Sequence, residues 1–389
     1  MYKIRTYNQI STCGLERFSR AHYEVASEIT HPDAYLLRSQ NLHGDELPDS
    51  LQAIARAGAG VNNVPVEHCS RQGVVVFNTP GANANAVKEL VLTGLLLSSR
   101  GVSEGLAFVQ GLDAGQSAEQ MSTYLEGQKK RFAGTEIAGK TLGVVGLGAI
   151  GSMVANMALT LGMKVVGYDP AISIEAAWRL SSKVGKMDNL HSLLACSDYV
   201  TLHVPSLEAT HHLINPDSLS SAKPGLKLLN FAREEIVDPG AILPALAAGK
   251  LSAYVADFPT PDLLGKEGVL LLPHIGASTQ EAEENCALMA ADQLIDYLEH
   301  GNIRNSVNFP NISMDRVGGR RITFSNHNVS GVLGDVLSML ADHKVNVLDM
   351  LNKSRDALAY NIVDVEGEVT KELLQGLTGI EHVIKIRVV

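Results

Sequence analysis

The sequence predicts an α/β protein: two doubly wound parallel-sheet domains followed by a small ferredoxin-like α+β module. Three observations predict it. Short apolar runs alternate with helix-length segments from Met1 to about Val76, and the same alternation restarts at Lys140 over six strand candidates. From about residue 319 the pattern becomes strand, helix, two strands, helix, strand. Alternating strand and helix implies a parallel sheet with helices on its faces, and the last pattern is that of a βαββαβ unit.

In chain order, "YKIRTY", "AYLLRS", "LQAIARAG" and "GVVVFNT" supply the first alternation. "NTPGANANAVKELVLTGLLLSSRGV" has apolar residues at helical spacing and Asn or Ala near its start, which predicts a long helix crossing into the next domain. "KTLGVVGLG", "MKVVGYDP", "YVTLHVP", "LKLLNFA", "LSAYVADF" and "GVLLLPH" predict a six-stranded second sheet. After Thr279, "QEAEENCALMAADQLIDYLEHG" is an amphipathic helix that returns to the first domain. Residues 305–319 read as a linker, being rich in turn residues and poor in periodicity. The expected domains are residues 1–93 with 279–308, residues 94–278, and residues 319–389.

Composition narrows the function. Thirty-two basic against forty-two acidic residues leave a net charge of −10, which argues against nucleic-acid or anionic-membrane partners. An anionic substrate then needs a local basic patch. Cys13, Cys69, Cys196 and Cys286 form no CxxC pair and no metal-ligand spacing, so reduced thiols and no metal are expected. The start "MYKIRTYNQIST" lacks the apolar core of a signal peptide, and "LVLTGLLL" is far short of the ~20 residues of a membrane span. A soluble, cytoplasmic protein is expected.

"GVVGLGAIG" places Gly146, Gly148 and Gly151 in GxGxxG spacing, directly after a β-branched strand and at the opening of a helix. The next strand, "KVVGY", ends at Asp169, completing a dinucleotide-binding fingerprint. Gly146 permits the tight turn, Gly148 lets the backbone approach a pyrophosphate, and Gly151 lets the helix pack closely on the sheet. Asp169 accepts hydrogen bonds from ribose hydroxyls and repels a 2′-phosphate, so NAD is expected rather than NADP.

Open α/β sheets bind ligands beyond the carboxyl ends of their strands. "NFAREEIVD" puts Arg233 there, "ADFPTPD" puts Asp257 and Asp262, and "LPHIGAST" puts His274. Arg233 can hold a substrate carboxylate through paired hydrogen bonds, or be tied up by Glu234 or Glu235. His274 can accept an alcohol proton with a carboxylate behind it, or merely end a strand after Pro273. Asp257 and Asp262 can equally be turn residues.

Together these motifs, with "LHVPSLEATHHLIN", "LLRSQ", "ARAGAGVNNVPV" and "NTPGANANAVKEL", resemble in order and spacing the D-isomer-specific 2-hydroxyacid dehydrogenases. The C-terminal module resembles an ACT domain. The resemblance implies a flavodoxin-like substrate domain, a Rossmann NAD domain and oxidation of the C2 hydroxyl of a 2-hydroxy acid. The leading substrate is 3-phospho-D-glycerate, giving 3-phosphohydroxypyruvate for serine synthesis; glycerate, 2-hydroxyglutarate and lactate are alternatives, as is a non-enzymatic NADH-sensing, corepressor-like role.

By the same resemblance Arg233 binds the carboxylate, His274 is the acid/base, and Asp262 stands where the family usually has the Glu partner of that histidine. The implied cofactor contacts are Thr79, Gly146, Gly148, Ala149, Ile150, Gly151, Asp169, Val204, Phe231, Ala232, Arg233, Asp257, His274, Ile275, Gly276 and Ala277. Arg38 and Ser39 match substrate-anion positions. Lys129, Lys130 and Arg131 in "GQKKRFAGTE" form the basic patch, which in the family reaches a neighbouring subunit and implies a homodimer or homotetramer; a solvated loop is the alternative. Asn328 and Asn346 match positions at which L-serine binds as an effector between two ACT domains, and Asn326 stands where a serine-regulated relative has histidine.

Overall fold

The structure, a computed structural model, describes residues 1–389, the side chain of Glu175 excepted. It divides into two compact units, residues 1–83 with 279–389 and residues 84–278. The first boundary falls ten positions earlier than expected, because the helix Ala84–Leu97 is one continuous element and belongs whole to the second unit.

In the first unit, β1 (Tyr2–Thr6), β2 (Tyr23–Ala26), β3 (Ala34–Leu37), β4 (Ala53–Arg56) and β5 (Val75–Phe77) form a parallel sheet of order β2-β1-β3-β4-β5. All four residues of β3 are buried, as a central parallel strand covered on both faces requires. The long helix Gln280–His300 lays Ala287, Ala290, Ala291, Leu294 and Leu298 against Ile4, Leu36, Ala55 and Phe77 in one core. Thr279 caps its start by accepting from the Ala282 N–H, and Gly301 ends it in the left-handed conformation at φ +72°.

The second unit holds β6 (Thr141–Val145), β7 (Lys164–Tyr168), β8 (Gly185–Lys186), β9 (Tyr199–Leu202), β10 (Leu226–Asn230), β11 (Leu251–Ala256) and β12 (Val269–Leu271). They form one parallel sheet of order β12-β11-β10-β9-β6-β7-β8. The chain reverses direction across the sheet between β6 and β9, the switch point at which such sheets bind ligands. The sheet has one strand more than the sequence predicts: β8 is two exposed residues at the edge, too short to carry an apolar alternation.

The C-terminal module has β13 (Arg320–His327), β14 (Asn346–Arg355), β15 (Leu358–Glu366) and β16 (Val383–Val388) in antiparallel order β14-β15-β13-β16. One face of this sheet, with Ile322, Phe324, Val363 and Val365, is covered by the helices Val332–Asp342 and Lys371–Thr378. The other face sets Tyr360 and Ile362 among polar side chains and packs on the rest of the first unit. Arg387 donates to Tyr297 O at 2.7 Å and to Gln52 Oε1 at 2.6 Å, Arg321 to His300 O at 2.9 Å, Tyr360 to Gly301 O at 3.0 Å and Arg355 to Ser306 O at 3.0 Å. Arg321 and Asp364 form a buried ion pair on the same face, 1% and 0% exposed. A Cβ on Gly301 would stand 2.4 Å from Thr323 Cγ2, so this contact needs glycine for its closeness as well as its φ.

The module expected to stand apart at residues 319–389 is therefore built into the first unit. Residues 305–319 are likewise no free linker: Ser306 bridges Phe77, Ile303 bridges Ile312, and Phe309, Ile312 and Met314 are buried. The turn residues hide structure because Asn308 replaces missing ladder bonds, accepting from Val76 N and donating to Val74 O at 2.9 Å each. Among the described residues no helix is long and apolar enough to cross a membrane.

Candidate active site

The glycine loop sits at the switch point. Gly146 has φ +86°, and a Cβ there would lie 2.6 Å from His203 O. At Gly151 a Cβ would lie 1.9 Å from Gly146 O, so the helix Ala149–Thr160 can approach β6 only without a side chain. A Cβ on Gly148 would meet nothing within 4 Å, leaving open space above the helix start and the half-buried Ala149 and Ile150. Asp169 braces this loop, its Oδ2 accepting from Leu147 N at 2.8 Å and its Oδ1 from Ala171 N at 2.9 Å. Each oxygen keeps a lone pair for a ribose hydroxyl. Open amides at a helix N-terminus and a carboxylate at the end of the next strand fit a dinucleotide.

Three adjacent strands bring the other groups together. Asn230, Ala256 and Leu271 lie side by side in register on β10, β11 and β12. Arg233, Asp257 and His274 leave the sheet just beyond that row. Asp257 is 2% exposed and clamps the histidine loop: Oδ1 accepts from Ile275 N at 2.8 Å and Oδ2 from Gly276 N at 2.6 Å. His274 itself has φ +57°, is exposed, and lies against Phe258 in a ring contact with centroids 4.9 Å apart. A side-chain-bearing residue held at positive φ is strained, and two charge-assisted bonds from the next two amides hold it there.

Asn230, which sequence reasoning passed over, shapes the neighbouring turn. Its Oδ1 accepts from Ala232 N at 3.2 Å and its Nδ2 donates to Arg233 O at 2.8 Å. Phe231 and Ala232 are thereby buried and Arg233 is turned outward, half-buried, with Nη1 on Ala232 O at 2.6 Å. Among the described residues no ion pair ties Arg233 to Glu234 or Glu235. The signal was a lone Asn inside the apolar run "LLNFA".

Asp262 is placed differently from the expectation. It is exposed on the short 3-10 turn Pro261–Leu263, and among the described residues no hydrogen bond joins it to His274. The carboxylate that acts on the histidine loop is Asp257, through the backbone.

In the first unit, Arg38 follows β3 directly and its Nη1 pairs with Glu283 Oε1 at 2.6 Å. Ser39 is exposed, and the amides of Ser39 and Gln40 both donate to Asn8 Oδ1, at 3.0 and 2.7 Å. Arg56, at the end of β4, donates from Nε to Arg38 O at 3.0 Å. It is a second cation beside Arg38, in the quoted "ARAGAG", that sequence reasoning did not single out. Thr79 is fully buried, its amide on Gly58 O.

A model of the D-isomer-specific 2-hydroxyacid dehydrogenase NAD-binding domain matches residues 103–276. The D-3-phosphoglycerate dehydrogenase of Escherichia coli K12 is 34% identical over 353 residues, covering 87% of this chain and 82% of that protein. The chain belongs to the D-isomer-specific 2-hydroxyacid dehydrogenases. The enzyme of the same name from Synechocystis is 33% identical over 334 residues, 84% of this chain, but this chain spans only 57% of its length. The fold is that of an NAD+-bound 3-phosphoglycerate dehydrogenase crystal structure from Entamoeba histolytica, with a TM-score of 0.60 and 24% identity over 79% of this chain and 98% of that one. Holo D-mandelate dehydrogenase from Rhodotorula graminis has a TM-score of 0.66 and 23% identity, over 81% and 99%.

In this dehydrogenase the basic stretch is a 3-10 turn, Lys129–Phe132, whose three basic residues are exposed. Lys129 pairs with Glu126, and Arg131 lies over Phe108 at 5.3 Å. The dehydrogenase's Asn326 is 3% exposed and its amide is committed inside the sheet, donating to His327 O at 2.6 Å and accepting from Asn361 at 2.8 Å. That removes it from any surface ligand set. Asn328 and Asn346 are exposed but lie at opposite ends of the sheet: Asn328 follows His327, which pairs with Leu358, whereas Asn346 pairs with Glu366.

Proposed function

We propose that the protein oxidises 3-phospho-D-glycerate at C2 to 3-phosphohydroxypyruvate with NAD. The observation that carries it is the row of three strand ends on which Arg233 and the Asp257-clamped His274 leave the NAD-binding sheet.

Gly148, the start of the helix Ala149–Thr160 and Asp169 would hold NAD, which when bound supplies the two-electron acceptor for the C2 hydrogen. Arg233 grips the substrate carboxylate with the guanidinium nitrogens that Ala232 O does not occupy, and its charge polarises the C2–oxygen bond as a carbonyl develops. His274 accepts the C2 hydroxyl proton on a ring nitrogen, since no group of the chain competes for either nitrogen among the described residues. Being exposed, it can pass the proton to water. Arg38 and Ser39 are the anion-binding groups that the family resemblance assigns.

Oligomerisation is part of the reading. The helices Val102–Gln110 and Ala118–Gln128 bury none of their side chains in this chain and expose Leu106, Val109 and Tyr124. Such an apolar surface fits a homodimer or homotetramer, with Lys129, Lys130 and Arg131 serving the neighbouring subunit. Asn328 and Asn346, at opposite ends of one sheet, can join in an L-serine site only across two copies.

The test is NADH oxidation with a panel of 2-oxo acids, with and without L-serine. Phosphohydroxypyruvate should give the highest kcat/KM. A tenfold preference for an unphosphorylated acid would replace the substrate, and no turnover on any of them would favour an NADH-binding, corepressor-like role.

A further inference from the structure

The ion pair between Arg38 and Glu283 has no part in the chemistry above. Arg38 directly follows β3, and Glu283 is in the first turn of the helix Gln280–His300, with Nη1 and Oε1 2.6 Å apart. The side chains are 37% and 45% exposed, so the pair adds little to stability. Its consequence is for whatever anion comes to Arg38. The carboxylate occupies the guanidinium before a ligand arrives, and Arg56 beside it donates to Arg38 O.

We propose that Glu283 is a specificity-determining residue: an anionic substrate tail must displace its carboxylate from Arg38, whereas a neutral tail need not. This rests on Arg38 meeting the substrate. The pair is net neutral and hydrogen-bonds readily to a hydroxyl-bearing tail, while a phosphate gains one cation and meets one repelling carboxylate. Charge at position 283 therefore sets the preference for phosphorylated over unphosphorylated 2-oxo acids without touching the reacting carbon.

The experiment compares wild type, Glu283→Gln and Glu283→Asp in NADH-dependent reduction of phosphohydroxypyruvate and hydroxypyruvate. Glu283→Gln should lower KM for phosphohydroxypyruvate about three- to fivefold, the upper end of what one exposed ion pair is worth. KM for hydroxypyruvate should stay within about twofold, Glu283→Asp should resemble wild type, and Tm should hardly move. A KM that is unchanged or raised, or an equal shift for both tails, overturns the proposal. Should wild type ignore phosphohydroxypyruvate, the functional reading fails by itself, and the same variants compared on 2-oxoglutarate against 2-oxobutyrate still decide the role of Glu283.

Discussion

At the scale of single residues, His274 and its supports are separable. His274→Ala should lower kcat by about 10²- to 10⁴-fold, the usual share of a positioned acid/base. NADH affinity, followed by fluorescence, should be unchanged; a kcat within a few-fold of wild type removes His274 from proton transfer. Asp257→Ala frees the two amides that fix the histidine's φ, so its loss of kcat should exceed that of Asp262→Ala, whose side chain makes no hydrogen bond to the loop among the described residues. The reverse order would mean that Asp262 reaches the imidazole when substrate is bound. His203 makes a different prediction. It is half-buried with Nε2 on Thr201 Oγ1 at 2.9 Å, and desolvation of the ring pushes its pKa down to about 3. Below about pH 6.5 the unfolded chain takes up a proton that the folded chain refuses, so stability falls with pH by up to about 1.4 kcal/mol per unit, until about pH 3. Denaturant melts at pH 7 and pH 5 should show a smaller loss for His203→Gln than for wild type.

Elements set what those residues can do. The glycine loop works because β6 and the helix Ala149–Thr160 nearly touch at Gly151. Gly151→Ala places a methyl group against Gly146 O and must push the helix off the strand. A displacement near 1 Å costs on the order of 10² in rate, so kcat/KM should fall by about that much while His274 remains intact. A variant with normal NADH affinity and normal kcat/KM would show that the helix can yield. This loop was legible in the sequence because all its determinants lie within one strand, one turn and one helix. The clamp on His274 was not, since Asp257 and Ile275 are 18 positions apart and meet only when β11 and β12 pair. The strand β8 was missed for a simpler reason: two exposed residues carry no periodicity.

For the whole molecule, the face of the C-terminal sheet that packs on the rest of the first unit is the controlling feature. Burial works against the Asp364 charge, but the hydrogen bonds and charge of Arg321 outweigh it and hold its pKa below the ordinary carboxylate value. Arg321→Met leaves that carboxylate buried and unpaired, a cost of about 3–5 kcal/mol. The stability lost should be largely regained in Arg321→Met with Asp364→Leu; equal melting of the single and double variants would show that the pair is not what holds this face. Because the folded pKa is depressed, the pair's contribution is full above the ordinary carboxylate pKa and disappears as pH falls through the lower folded value.

By itself the sequence determined the layered α/β architecture, the dinucleotide loop and the residue types at the strand ends, because these depend on local periodicity and short spacings. Only the tertiary structure decided which carboxylate holds the histidine loop, which acid shields Arg38, and where the C-terminal module sits. Those contacts join residues tens to hundreds of positions apart, as Arg387 and Gln52 do across 335. A polar side chain in such a sequence carries no mark of the distant partner that folding will bring to it.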